Sequence, residues 1–147
     1  MYRLLITLHL LGASIWIGGH IVLVTAVLPR ALKGRDPAIV RNFEAGFERI
    51  GIPALLIQVV TGLWLAYYWL PRVSAWFTFD SSLSRLIAAK LILLAATVAL
   101  ALHARLRLIP RLNAARLNLL AFHIFAITTL SIAFLVVGVG IRTRGFF

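Results

Sequence analysis

Four apolar stretches dominate the chain, at roughly 4–28, 52–70, 86–108 and 117–141, and nearly all of the charge falls between them. Each is long enough to cross ~30 Å of hydrocarbon at ~1.5 Å of rise per helical residue. The first runs unbroken from Leu4 to Leu28. That exceeds the roughly 7–15 apolar residues of a signal peptide, so it reads as a span. Pro29 is expected to end it, and Asp36 followed by Pro37 supplies an N-cap and first-turn pair for a new helix. From there Ile39, Val40, Phe43, Phe47 and Ile50 recur at helical spacing, with Arg41, Glu44, Glu48 and Arg49 between them. This pattern predicts a short amphipathic helix over 37–50, lying at the membrane interface. Pro53 then falls in the first turn of span two, and Pro71 closes it. Trp76, Phe77 and Phe79 in the next link suit a segment at headgroup depth, and Trp64, Tyr67, Tyr68 and Trp69 suit an interfacial belt. The expected fold is all-α: an integral membrane four-helix bundle forming one domain over 1–147.

Composition agrees with this pattern. The 147 residues are 62% hydrophobic and 13% charged, with mean hydropathy +0.99, whereas a soluble domain is about half apolar and a quarter charged. A formal charge of +11 would suggest nucleic acid in a soluble protein. Here the basic residues sit in the links, where they act as topology signals and contacts to membrane lipids, with no nucleic acid implied. Arg3, Arg72, Arg85, Arg142 and Arg144 gather on one side. Arg30, Lys33, Arg35, Arg41, Arg49, Arg105, Arg107, Arg111 and Arg116 gather on the other. The second side is the more basic, which predicts that both termini lie outside the cytoplasm of a bacterial-type inner (plasma) membrane.

The chemistry-bearing residues are few. Cysteine is absent and Met1 is the only methionine, so thiolate and internal thioether metal sites are excluded. Asp36, Glu44, Glu48 and Asp80 are the only acids, all assigned to links, which argues against a carboxylate-lined ion path. No nucleophile motif, P-loop or dinucleotide fingerprint is present.

The four histidines, His9, His20, His103 and His123, all fall inside predicted spans. His9 and His20 are eleven residues apart, about three helical turns, so they share one face about 16 Å apart along the axis. Counting ~1.5 Å per residue from each span centre puts His20, His103 and His123 at one level, ~7–9 Å toward the basic side. His9 lies ~10 Å toward the other side, where Lys90 also falls, either as a snorkelling anchor or as part of a site. Imidazole in a membrane span points to a metal or a haem iron. Haem b needs two axial imidazoles, a flat slot lined by small and aromatic residues, and cations for its propionates. Gly12, Ala13, Trp16 and Gly19 supply the first lining, and Arg105, Arg107 and Arg116 the cations. Copper or zinc would have to use imidazole alone, for which His20, His103 and His123 suffice in number.

LHLLGASIWIGG, containing His9, Gly12, Trp16, Gly18 and Gly19, followed by Pro29, resembles the opening of CopD-like membrane proteins and of the related HemJ-type protoporphyrinogen oxidases. Phe47 to Pro53, Thr61-Gly62, and Lys90 with His103 in AAKLILLAATVALALHARL extend the resemblance over most of the chain. It implies a four-helix membrane bundle. On the HemJ side it implies haem binding at His9 and a functional role for Lys90, and on the CopD side copper uptake or resistance. His20 and His123 depart from the HemJ pattern, as does the lack of an aromatic residue shortly before Lys90.

The leading expectation is a membrane protein carrying one or two b-type haems for transmembrane electron transfer or a membrane redox reaction. Two of His20, His103 and His123 would ligate one haem, and His9 with Lys90 would serve a second level. The alternatives are a copper transport or binding protein using the same histidines, a HemJ-like porphyrinogen oxidase as the resemblance implies, and a small structural subunit. Quinone or another redox protein is the expected partner, and a homodimer is compatible with the pattern.

Overall fold

The computed structural model describes residues 1–143, and every regular element among them is helical. Arg144, counted above as a topology charge, lies outside the described residues. Four stretches, Tyr2–Gly34, Pro37–Trp69, Ser82–Arg111 and Ala114–Arg142, are long and apolar enough to cross a membrane. The protein is a multi-pass, all-α membrane four-helix bundle.

Pro29 does not end the first span. Helix α1 (Tyr2–Val22) passes into a π-helical turn at Leu23–Val27 and on into α2 (Leu28–Gly34), with Pro29 in the first turn of α2. Proline lacks an N–H, and its ring collides with the carbonyl four residues back. A wider i→i−5 turn just ahead of it moves that carbonyl aside. The chain leaves the helix only at Arg35, whose φ of 49° is left-handed. The same arrangement recurs in the third span. There α4 (Ser82–His103) runs into a π turn at Ala104–Leu108 immediately before the Ile109–Arg111 turn that holds Pro110.

The amphipathic residues 37–50 are helical as expected, but they are not a separate element. They form the first part of α3 (Pro37–Trp69), which begins at Asp36, whose carboxylate accepts the Ala38 N–H at 2.8 Å, and continues through Pro53. A proline is tolerated inside a long membrane helix when neighbouring helices hold the chain on both sides of it. Here α1 does so, meeting Phe47 before Pro53 and Ala54 and Gln58 after it. As a result Glu44 and Glu48, assigned above to a link, belong to a spanning helix.

Helix α1 packs mainly on α3, and α4 packs mainly on α5 (Leu117–Arg142). The two pairs join through α1 and α5, while α3 and α4 share little contact. The four spans therefore form an open ring in the order α3, α1, α5, α4. At the end that carries links one and three, the basic end, Arg105 Nη1 and Glu48 Oε1 close the ring at 2.7 Å. A core of buried side chains lies at this end, built from Leu23, Leu28, Val40, Leu108, Leu117 and Leu120 and their neighbours. At the other end, which carries the chain terminus Met1, α3 and α4 stand apart. The link between them folds back on the helix ends: the buried Trp76 indole N–H donates to the Leu70 carbonyl at 2.9 Å, and the Ser84 hydroxyl to the Ala75 carbonyl at 2.7 Å. Phe77 and Phe79 of that link are exposed.

Candidate functional site: the intramembrane histidines

Three of the four histidines are held the same way. Nδ1 lies 3.0 Å from the Gln58 carbonyl in His9, 2.8 Å from the Trp16 carbonyl in His20, and 3.0 Å from the Leu119 carbonyl in His123. A carbonyl only accepts, so each neutral ring carries its proton on Nδ1 and keeps Nε2 as a lone pair. Histidines that ligate metals are oriented in this manner by their second nitrogen.

The basic-end histidines separate into two places. His123, buried on α5, meets His103 across the α4–α5 interface, with Nδ1 of His103 2.9 Å from Nε2 of His123. Because Nε2 of His123 is an acceptor, Nδ1–H of His103 must be the donor, and Nε2 of His103 is left unprotonated. The two rings lie 5.0 Å apart at 25°, and His103 is exposed on the outside of the bundle. His20 is elsewhere, on the α1–α3 interface. It lies 4.5 Å from the Trp16 ring and is edge-on to Phe47 at 5.9 Å. Among the described residues no group of three or more histidines or acids is positioned to hold a metal together. A shared level did not bring the three together, because each helix pair turns its histidines toward its own partner.

The expected haem slot is also filled. A Cβ on Gly12 would stand 2.7 Å from the Ala54 carbonyl oxygen, and a Cβ on Gly19 would run into the Phe47 ring, which also lies against Gly51. These glycines admit α3, not a macrocycle. His103 and His123 are hydrogen-bonded to each other with no gap between the rings. Arg105, assigned to propionates, is paired with Glu48, and Arg107 is exposed. A single ion fits the His103–His123 pair more readily. Two imidazole nitrogens ~2.0 Å from one tetrahedral ion stand about 3.3 Å apart, a few tenths of an ångström more than the 2.9 Å seen.

His9 and Lys90 share one chamber, as their common depth allows. Both line a chamber of about 350 Å3 enclosed by all four spans at the end opposite the basic one. The His9 ring lies over Gly62, whose Cβ would be 3.0 Å from Cε1, and its Nδ1 also meets Thr61 Oγ1 at 3.0 Å. Lys90 Nζ stands 4.8 Å from the centre of the Phe134 ring, beside the open Cα of Gly138. Trp16 also lines the chamber, where its indole N–H donates to Ser131 Oγ at 3.1 Å and ties α1 to α5. Gln58, Thr61 and Ser131 were not singled out as site residues by the sequence. Their signal was a polar side chain within an apolar span, and only the helix pairing shows which of them face a histidine.

A family model, copper resistance protein D, matches residues 41–141. That range includes Lys90, His103 and His123 but not α1, so the match is independent of the opening stretch with His9, Trp16 and His20. Compared with curated proteins and with solved structures, the chain matches none. The match extends over well over half of the chain, through most of α3, all of α4 and nearly all of α5, and the chain therefore belongs to the CopD, or copper resistance protein D, family.

Proposed function

We propose that this chain handles copper within the bilayer, with His103 and His123 together holding the ion. The observation that carries this reading is the 2.9 Å contact between His103 Nδ1 and His123 Nε2. It brings two neutral imidazoles from separate helices together, one of them oriented by the Leu119 carbonyl. Family membership supports copper as the metal. Imidazole suits copper, while the absence of cysteine and of internal methionine withholds the soft ligands that bind Cu(I) most firmly. Such a site favours passing copper on over storing it. The proton between the two rings and the ion exclude each other, so loading moves the His103 proton from Nδ1 to Nε2, or turns the ring to offer Nε2 instead.

Copper content of the purified, detergent-solubilised protein after incubation with copper and desalting tests this. About one equivalent is expected for the native chain and for His20→Phe. His103→Ala and His123→Ala should each lose most of it. Equal copper in the native chain and in the double variant would refute the assignment.

A second reading, a single b-type haem on His9, is favoured by one observation, the His9 ring lining an apolar chamber with Nδ1 anchored and Nε2 unprotonated. A Soret band lost in His9→Ala and retained in His123→Ala would support it. A colourless preparation would remove it.

A further inference from the structure

Lys90 stands in the chamber without a counter-charge. Among the described residues no carboxylate lines the chamber, and the one ion pair, Arg105 with Glu48, closes the opposite end of the bundle. The recorded contact of the ammonium is with the face of Phe134 at 4.8 Å, and a ring quadrupole offsets only part of a buried cation's desolvation. Arg142, near the end of α5, lines the same chamber and donates to Tyr2 Oη at 3.1 Å. Two cations and the His9 ring are thus set in walls that are otherwise almost wholly apolar. Because α3 and α4 share little contact while the basic end is packed, the α3–α4 side offers the route between the chamber and lipid.

From this geometry we infer that the chamber binds a single-chain amphiphilic carboxylate, drawn from the surrounding leaflet through the α3–α4 gap. The carboxylate meets Lys90 Nζ, and the hydrocarbon chain lies along α3 and α4 toward the gap. Charge complementarity selects an anion, and the apolar walls select a hydrocarbon body. Size selects one chain over two. A volume of about 350 Å3 is at the small end of ligand cavities, roughly 300–1,000 Å3. Lys90 also sits about 12 Å from the span centre, inside a hydrocarbon half-thickness of ~15 Å, so an anion that meets it within the chamber lies just below the headgroups. Gly138 leaves the space in which the ammonium and a carboxylate can meet, since a Cβ there would lie 3.3 Å from Nζ. The inference does not depend on copper at His103 and His123.

The test is a titration of the full-length protein in detergent micelles with oleate labelled with 13C at the carboxyl carbon, read by NMR. A saturable bound carboxyl resonance is expected, retained in Lys90→Arg and weakened by about tenfold in Lys90→Met, the loss appropriate to one charged hydrogen bond. Gly138→Leu, which fills the space beside Nζ without touching the charge, should also weaken it. His103→Ala should leave it unchanged, which separates this result from any failure of the copper reading. Thermal unfolding of each variant without ligand shows whether it is folded. Methyl oleate displacing the label as well as oleate does, or unchanged binding in a folded Lys90→Met, would overturn the inference. Equal displacement by phosphatidic acid would assign the site to a headgroup phosphate, and tighter displacement by haem with a Soret band would assign it to a porphyrin. Either result would overturn the choice of ligand.

Discussion

Gly12→Ala probes the close approach that sets the geometry of the α1–α3 pair at the level of the chamber. A Cβ at Gly12 would stand 2.7 Å from the Ala54 carbonyl oxygen and 3.3 Å from Gln58 Cβ. Ordinary contact begins near 3.4 Å, and the obstacle is backbone, so no rotamer change relieves it. Helices α1 and α3 must part by about 0.7 Å, an overpacking cost of about 1–3 kcal/mol. The substitution also removes a helical glycine, which by itself favours alanine by ~0.5–1 kcal/mol. Gly18→Ala provides the reference, because a Cβ there meets nothing within 4 Å and carries the propensity gain alone. The difference between the two variants isolates the steric term, so Gly12→Ala should be the less stable by about 1–3 kcal/mol. Reversible unfolding in mixed micelles titrated with SDS measures both. If the two variants agree within about 0.5 kcal/mol, less than the smallest overpacking cost, the close approach of α1 and α3 is wrong. The site would respond as well, since His9 Nδ1 reaches Gln58 and Thr61 across the same interface.

Two further outcomes follow from the packing. Phe47→Ala should cost about 3 kcal/mol, at the low end for a truncated phenylalanine because the ring is only half-buried, and should change the environment of Trp16 and His20 in tryptophan fluorescence. Unchanged stability would mean that the ring does not occupy the space offered by Gly19 and Gly51. Glu48→Gln should cost no more than ~1 kcal/mol, because the pair it breaks is solvent-exposed (48% for Arg105, 32% for Glu48). A larger loss in the same unfolding assay would show that the pair clamps the basic end of the ring.

Legibility in the sequence divides along a physical line. Periodicity and length determine which residues enter a span and at what depth, because rise per residue is fixed and lipid tolerates few charges. Hence the four spans, the shared stripe of His9 and His20, and the common level of His9 and Lys90 were all readable. Helix breaks were less so. Pro29 carries the local signal of a stop and Pro53 that of a helix start, yet a π turn accommodates the first and packing against α1 holds one continuous helix through the second. Proline's local cost is thus offset by contacts that no local pattern records.

The azimuth of one helix about another is the part the sequence left open. Depth alone grouped His20, His103 and His123, but α1 turns toward α3 while α4 turns toward α5. That pairing divides the three and leaves His103 bonded to His123. It also places Gly12 and Gly19 against α3, where a face rich in small residues had looked like room for a macrocycle. The chamber around Lys90 arises from a gap between α3 and α4. The chain by itself determined a helical membrane bundle with imidazoles at two depths. Tertiary structure alone decided which of them meet, because contact between helices depends on mutual rotation, and rotation is set by the whole interface rather than by any one span.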